Sequence, residues 1–308
     1  MRVTIPNSPA SAHPLRVKPN PFRYLKPESL EEALGYLDEH GSECALLAGG
    51  QSLVPLMNFR LARPEVVVDL NGLEELRGIE VDGLTTIGAM TRQCEIEFSE
   101  ELSAAVPLLV EATPLIGHFQ TRSRGTIGGS VAHADPAAEY PTVLVALAGS
   151  VVLTSCAGSR EVPSEAFFRG PFFTAREPNE LVTAVRFAPQ SSGRRGVAYL
   201  EFTRGHRGPA LVAAAATVSI AADGTIDEVQ LALAGVGPSP ISIAAAGLCG
   251  QFPVESLFED LAQDVRRSVD PSDDAHGSAV FRRHLAGTLS AQALGRASKR
   301  AREAEDGN

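Results

Sequence analysis

The sequence predicts an α+β chain built as two domains, and two observations carry that prediction. Strand, helix and strand signals follow one another near the start, as in a small α/β unit. Three consecutive strand-like segments and then helices fill the last third. A length of 308 residues also exceeds what one small core organises.

In chain order, Glu28 to His40 reads as a helix, because Leu30, Ala33, Leu34 and Leu37 share one face and Gly41 stops it. Cys44 to Leu47 reads as a short buried strand. Val66 to Leu70 is a β-branched strand closed by Asn71-Gly72. Thr85 to Gly88 is another strand, and Ser99 to Ala112 is helical with a break at Pro107. Ala137 to Ala148 is apolar on several faces, which predicts a buried helix with Pro141 in its first turn. Val151 to Leu153 and Leu181 to Phe187 are strands. Pro163 to Phe173, with four Phe, is a loop. The polar stretch Pro189 to Gly193 is the linker. Val197 to Thr203, Leu211 to Ile220 and Ile226 to Ala234 read as antiparallel strands. Ile241 to Leu248, Val254 to Val269 and Ala275 to Ala304 read as helices. Residues 1–19 hold Pro6, Pro9, Pro14 and Pro19 and read as a loose arm. Residues 301–308 are a frayed tail.

Composition excludes several functions. With 37 acids against 27 bases the net charge is −10, which argues against nucleic acid as the main partner. An anionic ligand must then be held by local N–H groups, not by the overall field. Cys44, Cys94, Cys156 and Cys249 lie far apart without metal spacing, so no iron–sulfur cluster, zinc or other metal is expected on this chain. They read as buried thiols in a reducing compartment, hence a cytoplasmic location. No apolar run is long enough to span a bilayer.

Two glycine-paired loops carry the functional signal. Leu46-Leu47-Ala48-Gly49-Gly50-Gln51-Ser52-Leu53 follows the first apolar strand. Thr126-Ile127-Gly128-Gly129-Ser130 precedes the Ala-rich helix. Adjacent residues without Cβ let backbone N–H groups close around a phosphate. Two such loops, each beside a small hydroxyl residue, point to a ligand with two phosphates gripped from both sides. A glycine pair alone can equally be a tight turn. There is no GxxxxGK followed by Ser or Thr, and no GxGxxG after the first strand, which excludes the P-loop and Rossmann sites.

His118 and His133 flank the second loop, as a base, a covalent flavin anchor or simply polar neighbours of the ligand. Asp135 and Glu139 would repel a pyrophosphate. They suit ribose or ribityl hydroxyls, loop N–H groups, or a helix N-terminus. Arg122 and Arg124 face either phosphates or solvent. No Ser/His/Asp or Cys/His set is present, so no catalytic side chain is assigned and the chemistry belongs to a cofactor.

Leu46 to Leu56, Leu61-Ala62-Arg63-Pro64, Val68-Asp69-Leu70, Gly88 to Thr91, Gly125 to Ser130, Asp135-Pro136 and Glu180 to Arg186 together resemble the FAD-binding medium subunit of molybdenum hydroxylases. That is the group of aerobic carbon monoxide dehydrogenase and xanthine dehydrogenase. The resemblance runs in order over roughly residues 20 to 290. It implies a PCMH/VAO-type FAD-binding domain over 20–189, with subdomains 20–72 and 73–189. A C-terminal α+β domain over 195–300 would partly cover the isoalloxazine. It places Leu46, Leu47, Ala48, Gly49, Gly50, Gln51, Ser52 and Leu53, with Thr126, Ile127, Gly128, Gly129 and Ser130, on the FAD pyrophosphate. Ile116 and Gly117 fall near the flavin ring. His133, Asp135 and Glu139 fall near the cofactor.

The resemblance also implies partners. A large subunit holds molybdopterin and a small subunit holds two 2Fe-2S clusters. The assembly is a heterotrimer or a dimer of heterotrimers, and the flavin subunit passes electrons to an external acceptor. A stand-alone flavin-dependent oxidase or reductase of the same superfamily, or a non-enzymatic nucleotide-binding scaffold, is the alternative. Two departures stand out. Ser130 replaces a common Asn, and Gly208-Pro209 replace an acid and an aromatic ring, which predicts a more open flavin face.

Overall fold

The computed structural model describes residues 18–190, 193–205 and 208–304. The loose arm expected over 1–19 falls mostly outside the described residues, as do 305–308 of the tail.

The chain opens as an α/β unit. Strand β1 (Arg23–Leu25) leads to helix α1 (Leu30–His40), then β2 (Cys44–Leu47), helix α2 (Leu53–Asn58) and β3 (Val66–Asp69). The three strands form a parallel sheet in the order β1-β3-β2. Helix α1 begins at Ser29, whose hydroxyl accepts from the Glu32 amide, and buries Ala33, Leu34 and Leu37 against the sheet.

A second, antiparallel sheet follows. Strands β4 (Ile79–Asp82) and β5 (Leu84–Gly88) form a hairpin. Short helices then run through α3 (Gln93–Glu97), α4 (Glu100–Ala105), α5 (Pro107–Ala112), α6 (Phe119–Arg122), α7 (Ile127–His133) and α8 (Glu139–Ala146). Pro107 separates α4 from α5 and sits in the first turn of α5, where its missing N–H costs nothing. Helix α8 is buried from Tyr140 to Ala146. Strands β6 (Ser150–Ser155) and β7 (Gly158–Pro163) pair next. Helix α9 (Ser164–Phe167) and a small hairpin, β8 (Phe168–Gly170) and β9 (Phe173–Thr174), lead into β10 (Leu181–Phe187). The sheet order is β4-β5-β10-β6-β7.

The remainder is an antiparallel sheet, β11 (Arg194–Thr203), β12 (Ala210–Ile220), β13 (Ile226–Ala234) and β14 (Ile241–Ser242) in that order, covered by α10 (Glu255–Ser268) and α11 (Ala279–Glu303). Every residue of β12 is buried, because both its faces are covered. Val212, Ala214, Ala216 and Val218 pack under the two helices. Ala213 and Ala215 face the first domain and share its core with Val143 and Leu109. Small side chains on that face let the domains approach closely. Arg300 adds a tie at the edge, donating to Glu111 Oε2 at 2.5 Å and to the Val197 carbonyl at 2.6 Å.

Three expectations fail locally. Ile241 to Leu248 is not a helix: Ile241 pairs with Leu233 as an edge strand, and only Ala246–Leu248 makes a 3-10 turn. Pro163 to Phe173 is not a plain loop, because Phe167 and Phe168 turn into the core and meet edge to face at 5.1 Å. The four cysteines are free thiols, but Cys156 and Cys249 are exposed.

Candidate cofactor site

The two glycine loops meet. A Cβ on Gly49 would lie 2.3 Å from the Arg124 carbonyl oxygen and 2.7 Å from Gly125 Cα. Only a residue without a side chain permits that contact. A Cβ on Gly129 would lie 3.5 Å from Ala48 Cβ. Between the loops opens a cavity of about 520 Å³.

The loops differ in what they offer. Among the described residues, the amides of Gly49, Gly50, Gln51 and Ser52 donate to no acceptor. In the second loop the amides are already bonded: Ile127 to the Thr91 carbonyl, Gly128 to the Ala89 carbonyl, Gly129 to Thr126 Oγ1 and Ser130 to the Thr126 carbonyl. The expectation of two free amide clusters is met on one side only. The second glycine pair serves packing and space. A Cβ on Gly128 would strike Ala89 at 2.4 Å, whereas Gly129 opens toward Ala48. Ser52 and Ser130 both line the cavity, and neither hydroxyl has a partner among the described residues.

Of the remaining candidates, Leu46, Ala48, Gly49, Gly50, Gln51, Leu53, Ile116, Thr126, Gly128, Gly129, His133, Asp135 and Glu139 line the same cavity. Leu47, Gly117 and Ile127 do not: Ile127 is wholly buried in the core, and the Gly117 carbonyl accepts from Arg122 at 3.3 Å. His133 is half-buried, with its ring 5.0 Å from that of Phe172, and burial pulls its pKa down, favouring the neutral imidazole. His118 is exposed and lies off the cavity. Asp135 Oδ1 accepts from the Ala137 amide at 2.9 Å, a local turn ahead of α8. Glu139 is half-buried, and burial, helped by Glu201 and Asp135, pushes its pKa up to about 8.

Arg122 faces neither phosphates nor solvent. It is buried, gripping Glu97 with Nε at 2.8 Å and Nη2 at 3.0 Å, and it holds the Ile116 carbonyl at 3.1 Å. Arg124 is exposed, and its carbonyl meets Gly49.

Sequence reasoning missed the residues that brace and complete the cavity. Asn71 Nδ2 donates to the Ala48 carbonyl at 2.9 Å. Arg92 Nη2 donates to Asn71 Oδ1 at 2.6 Å, and its Nη1 reaches the Arg124 carbonyl. Gln93 lines the cavity, is 4% exposed, and its Oε1 has no partner among the described residues. Arg176 is the only cation among the described lining residues besides the neutral-leaning His133. These groups come from segments far apart in the chain, so no local motif announces them.

His206 and Arg207, in the segment expected to leave the flavin face open, lie outside the described residues. Gly208 and Pro209 do not line the cavity. Among the described residues there is no cluster of His, Cys, Asp or Glu fit to hold a metal, and no helix is long and apolar enough to cross a membrane.

A narrow cavity flanked by free amides, two free hydroxyls and a buried unpaired amide suits a phosphate-bridged dinucleotide. The scaffold that holds it is that of a flavoprotein. The model for the FAD binding domain in molybdopterin dehydrogenase matches residues 20–190, and that for the CO dehydrogenase flavoprotein C-terminal domain matches 197–297. The chain belongs to this family of FAD-binding oxidoreductase subunits. It is 37% identical over 288 residues to the caffeine dehydrogenase subunit beta of Pseudomonas sp. (strain CBB1), covering 92% of this chain and 97% of the relative. It is 35% identical to the carbon monoxide dehydrogenase medium chain of Hydrogenophaga pseudoflava, over 90% of this chain and 96% of that one. A solved structure of that organism's carbon monoxide dehydrogenase superposes with a TM-score of 0.88, at 35% identity over 92% of this chain and 99% of that one. Quinoline 2-oxidoreductase from Pseudomonas putida 86 superposes at 0.87, with 31% identity over 92% and 99%.

Proposed function

We propose that this chain is the FAD-binding electron-transfer subunit of a multi-subunit molybdenum hydroxylase. It takes electrons from 2Fe-2S clusters on a partner subunit and passes them to an external acceptor. The observation that carries this reading is the row of unbonded amides from Gly49 to Ser52, on residues that line one cavity together with Gly129. Those amides, with the Ser52 and Ser130 hydroxyls, would hold the diphosphate. Charge-assisted bonds of this kind contribute about 1.5–3 kcal/mol each.

Leu53, Ile116, Leu181 and Val182 supply apolar walls. Asp135 and Glu139 lie at the seam with the C-terminal domain, where Glu201 adds to the shift of Glu139. The isoalloxazine is assigned to that end, within reach of partner and acceptor, with Glu139 and Asp135 meeting its hydroxylated side chain. Bound FAD supplies the redox chemistry, taking electrons one at a time and releasing them singly or in pairs.

The named relatives belong to enzymes for caffeine, carbon monoxide and quinoline. One scaffold serving such different substrates supports a substrate site on another chain, held by a large molybdopterin subunit. The chain is expected to bind FAD after reconstitution, and the reduced iron–sulfur partner is expected to bleach it in stopped flow. Turnover by this chain alone, free of iron and molybdenum, would instead favour a stand-alone flavoenzyme. Failure to take up flavin at all would leave only a nucleotide-binding scaffold.

A further inference from the structure

The cavity has an order along its length. Cys44, at the start of β2, lies at one end, and Arg176 lines the same cavity. Ala48 and Gly49, against Gly129, form the middle. Glu139, near Glu201 of the C-terminal domain, marks the other end. At about 3.3 Å per residue, roughly 10 Å of strand separates Cys44 from Leu47. The Cys44 end of the cavity is therefore set apart from a diphosphate seated on the Gly49–Ser52 amides, and Arg176 is assigned to that end.

Its guanidinium is fixed and incompletely used. Nη1 donates to the carbonyls of Glu177 at 3.1 Å and Glu180 at 2.8 Å. The Glu180 carboxylate is taken up by Arg160, at 2.6 and 2.8 Å, and by the Glu177 amide. Nε and Nη2 of Arg176 meet no acceptor among the described residues. Ala45, Leu46 and Leu181, which line the same cavity, are apolar. A planar cation with unused N–H donors, in a cavity lined largely by apolar residues, suits a heteroaromatic ring, through its π face or its ring-nitrogen acceptors.

We propose that Arg176 recognises the adenine half of the bound dinucleotide and thereby favours FAD over FMN. The inference rests on the flavin reading above, which places the redox ring at the domain seam and leaves this end, inside the first domain, for the adenosine. Sequence inspection does not single Arg176 out, since it belongs to neither glycine loop.

The test is calorimetric titration of the deflavinated full chain with FAD, ADP and FMN, for wild type, Arg176→Met and Arg176→Lys. Arg176→Met should weaken FAD and ADP by a common factor of about ten and leave FMN unchanged. Arg176→Lys, which keeps the charge but loses the plane, should fall between them. Should circular dichroism show Arg176→Met unfolded, the same comparison with Arg176→Lys decides. ADP bound equally by all variants, or FMN weakened as much as FAD, overturns the proposal. Wild type that binds no FAD refutes the parent reading instead.

Discussion

Arg92 donates to Asn71 Oδ1 at 2.6 Å, and through that bond the two glycine loops are braced as one unit. Asn71 holds the carbonyl of Ala48 in the first loop, and Arg92 holds the carbonyl of Arg124 ahead of the second. The gap between the loops is thus set before any ligand arrives, which lowers the ordering cost of binding. Arg92→Met should weaken FAD about tenfold or more, since bonds to charged groups contribute about 1.5–3 kcal/mol each. Fluorescence titration reads it. Undiminished affinity in a folded variant would show that the brace has no bearing on the cavity.

The second glycine pair divides its labour, and two substitutions separate the parts. Gly128→Ala drives a methyl to within 2.4 Å of Ala89 and should lower the melting temperature. Gly129→Glu crowds the Thr126 hydroxyl that caps α7, 2.9 Å from the added Cβ, and fills the space facing Ala48. It should give a folded, colourless protein. Full flavin content in Gly129→Glu would remove the loop from the site.

This division shows where the sequence could be read and where it could not. The first loop was legible because a short apolar strand, a glycine pair and a hydroxyl are adjacent in the chain. The second loop is expected to offer free amides, but they are bonded, because bonding to Thr91 and Ala89 is a tertiary fact. Asn71, Arg92, Gln93 and Arg176 stayed invisible for the same reason. Strands β4 and β7 were missed because they are polar edges with little to bury. Helix α1 is legible because its apolar periodicity matches the face it buries, and β2, β10 and β13 because each carries an apolar run, although β2, expected to be buried, is only half-buried along its length.

Glu139 gives a pH prediction for the flavin-free protein. Its pKa is raised from 4.5 to about 8, first by burial and then by Glu201 and Asp135. An acid with a raised folded pKa contributes stability that is fully present below about 4.5 and is lost as pH climbs to about 8. Glu139→Gln removes the carboxyl that the folded state resists ionising. Its gain in melting temperature should be greater at pH 8 than at pH 5, by about 2–4 °C for each kcal/mol relieved. A gain independent of pH would mean that Glu139 ionises as freely in the fold as in the unfolded chain.

The Arg122–Glu97 pair makes the opposite kind of statement about charge. Side-chain exposure is 5% for Arg122 and 11% for Glu97, and the two meet bidentately. Burying two charges is costly, so the pair adds little net stability over a well-packed apolar pair. Removing one partner is different, because the survivor is left charged away from water. Arg122→Met should therefore destabilise by about 3–5 kcal/mol. It should also loosen the turn at Ile116 and Gly117, whose carbonyls Arg122 holds beside the cavity. Adding Glu97→Met should restore much of the stability but not the turn, since the apolar pair supplies no donors to those carbonyls. Denaturant melts and FAD titration of the single and double variants separate the two effects. If the double variant recovers flavin affinity along with stability, Arg122 is a packing residue and the turn holds itself.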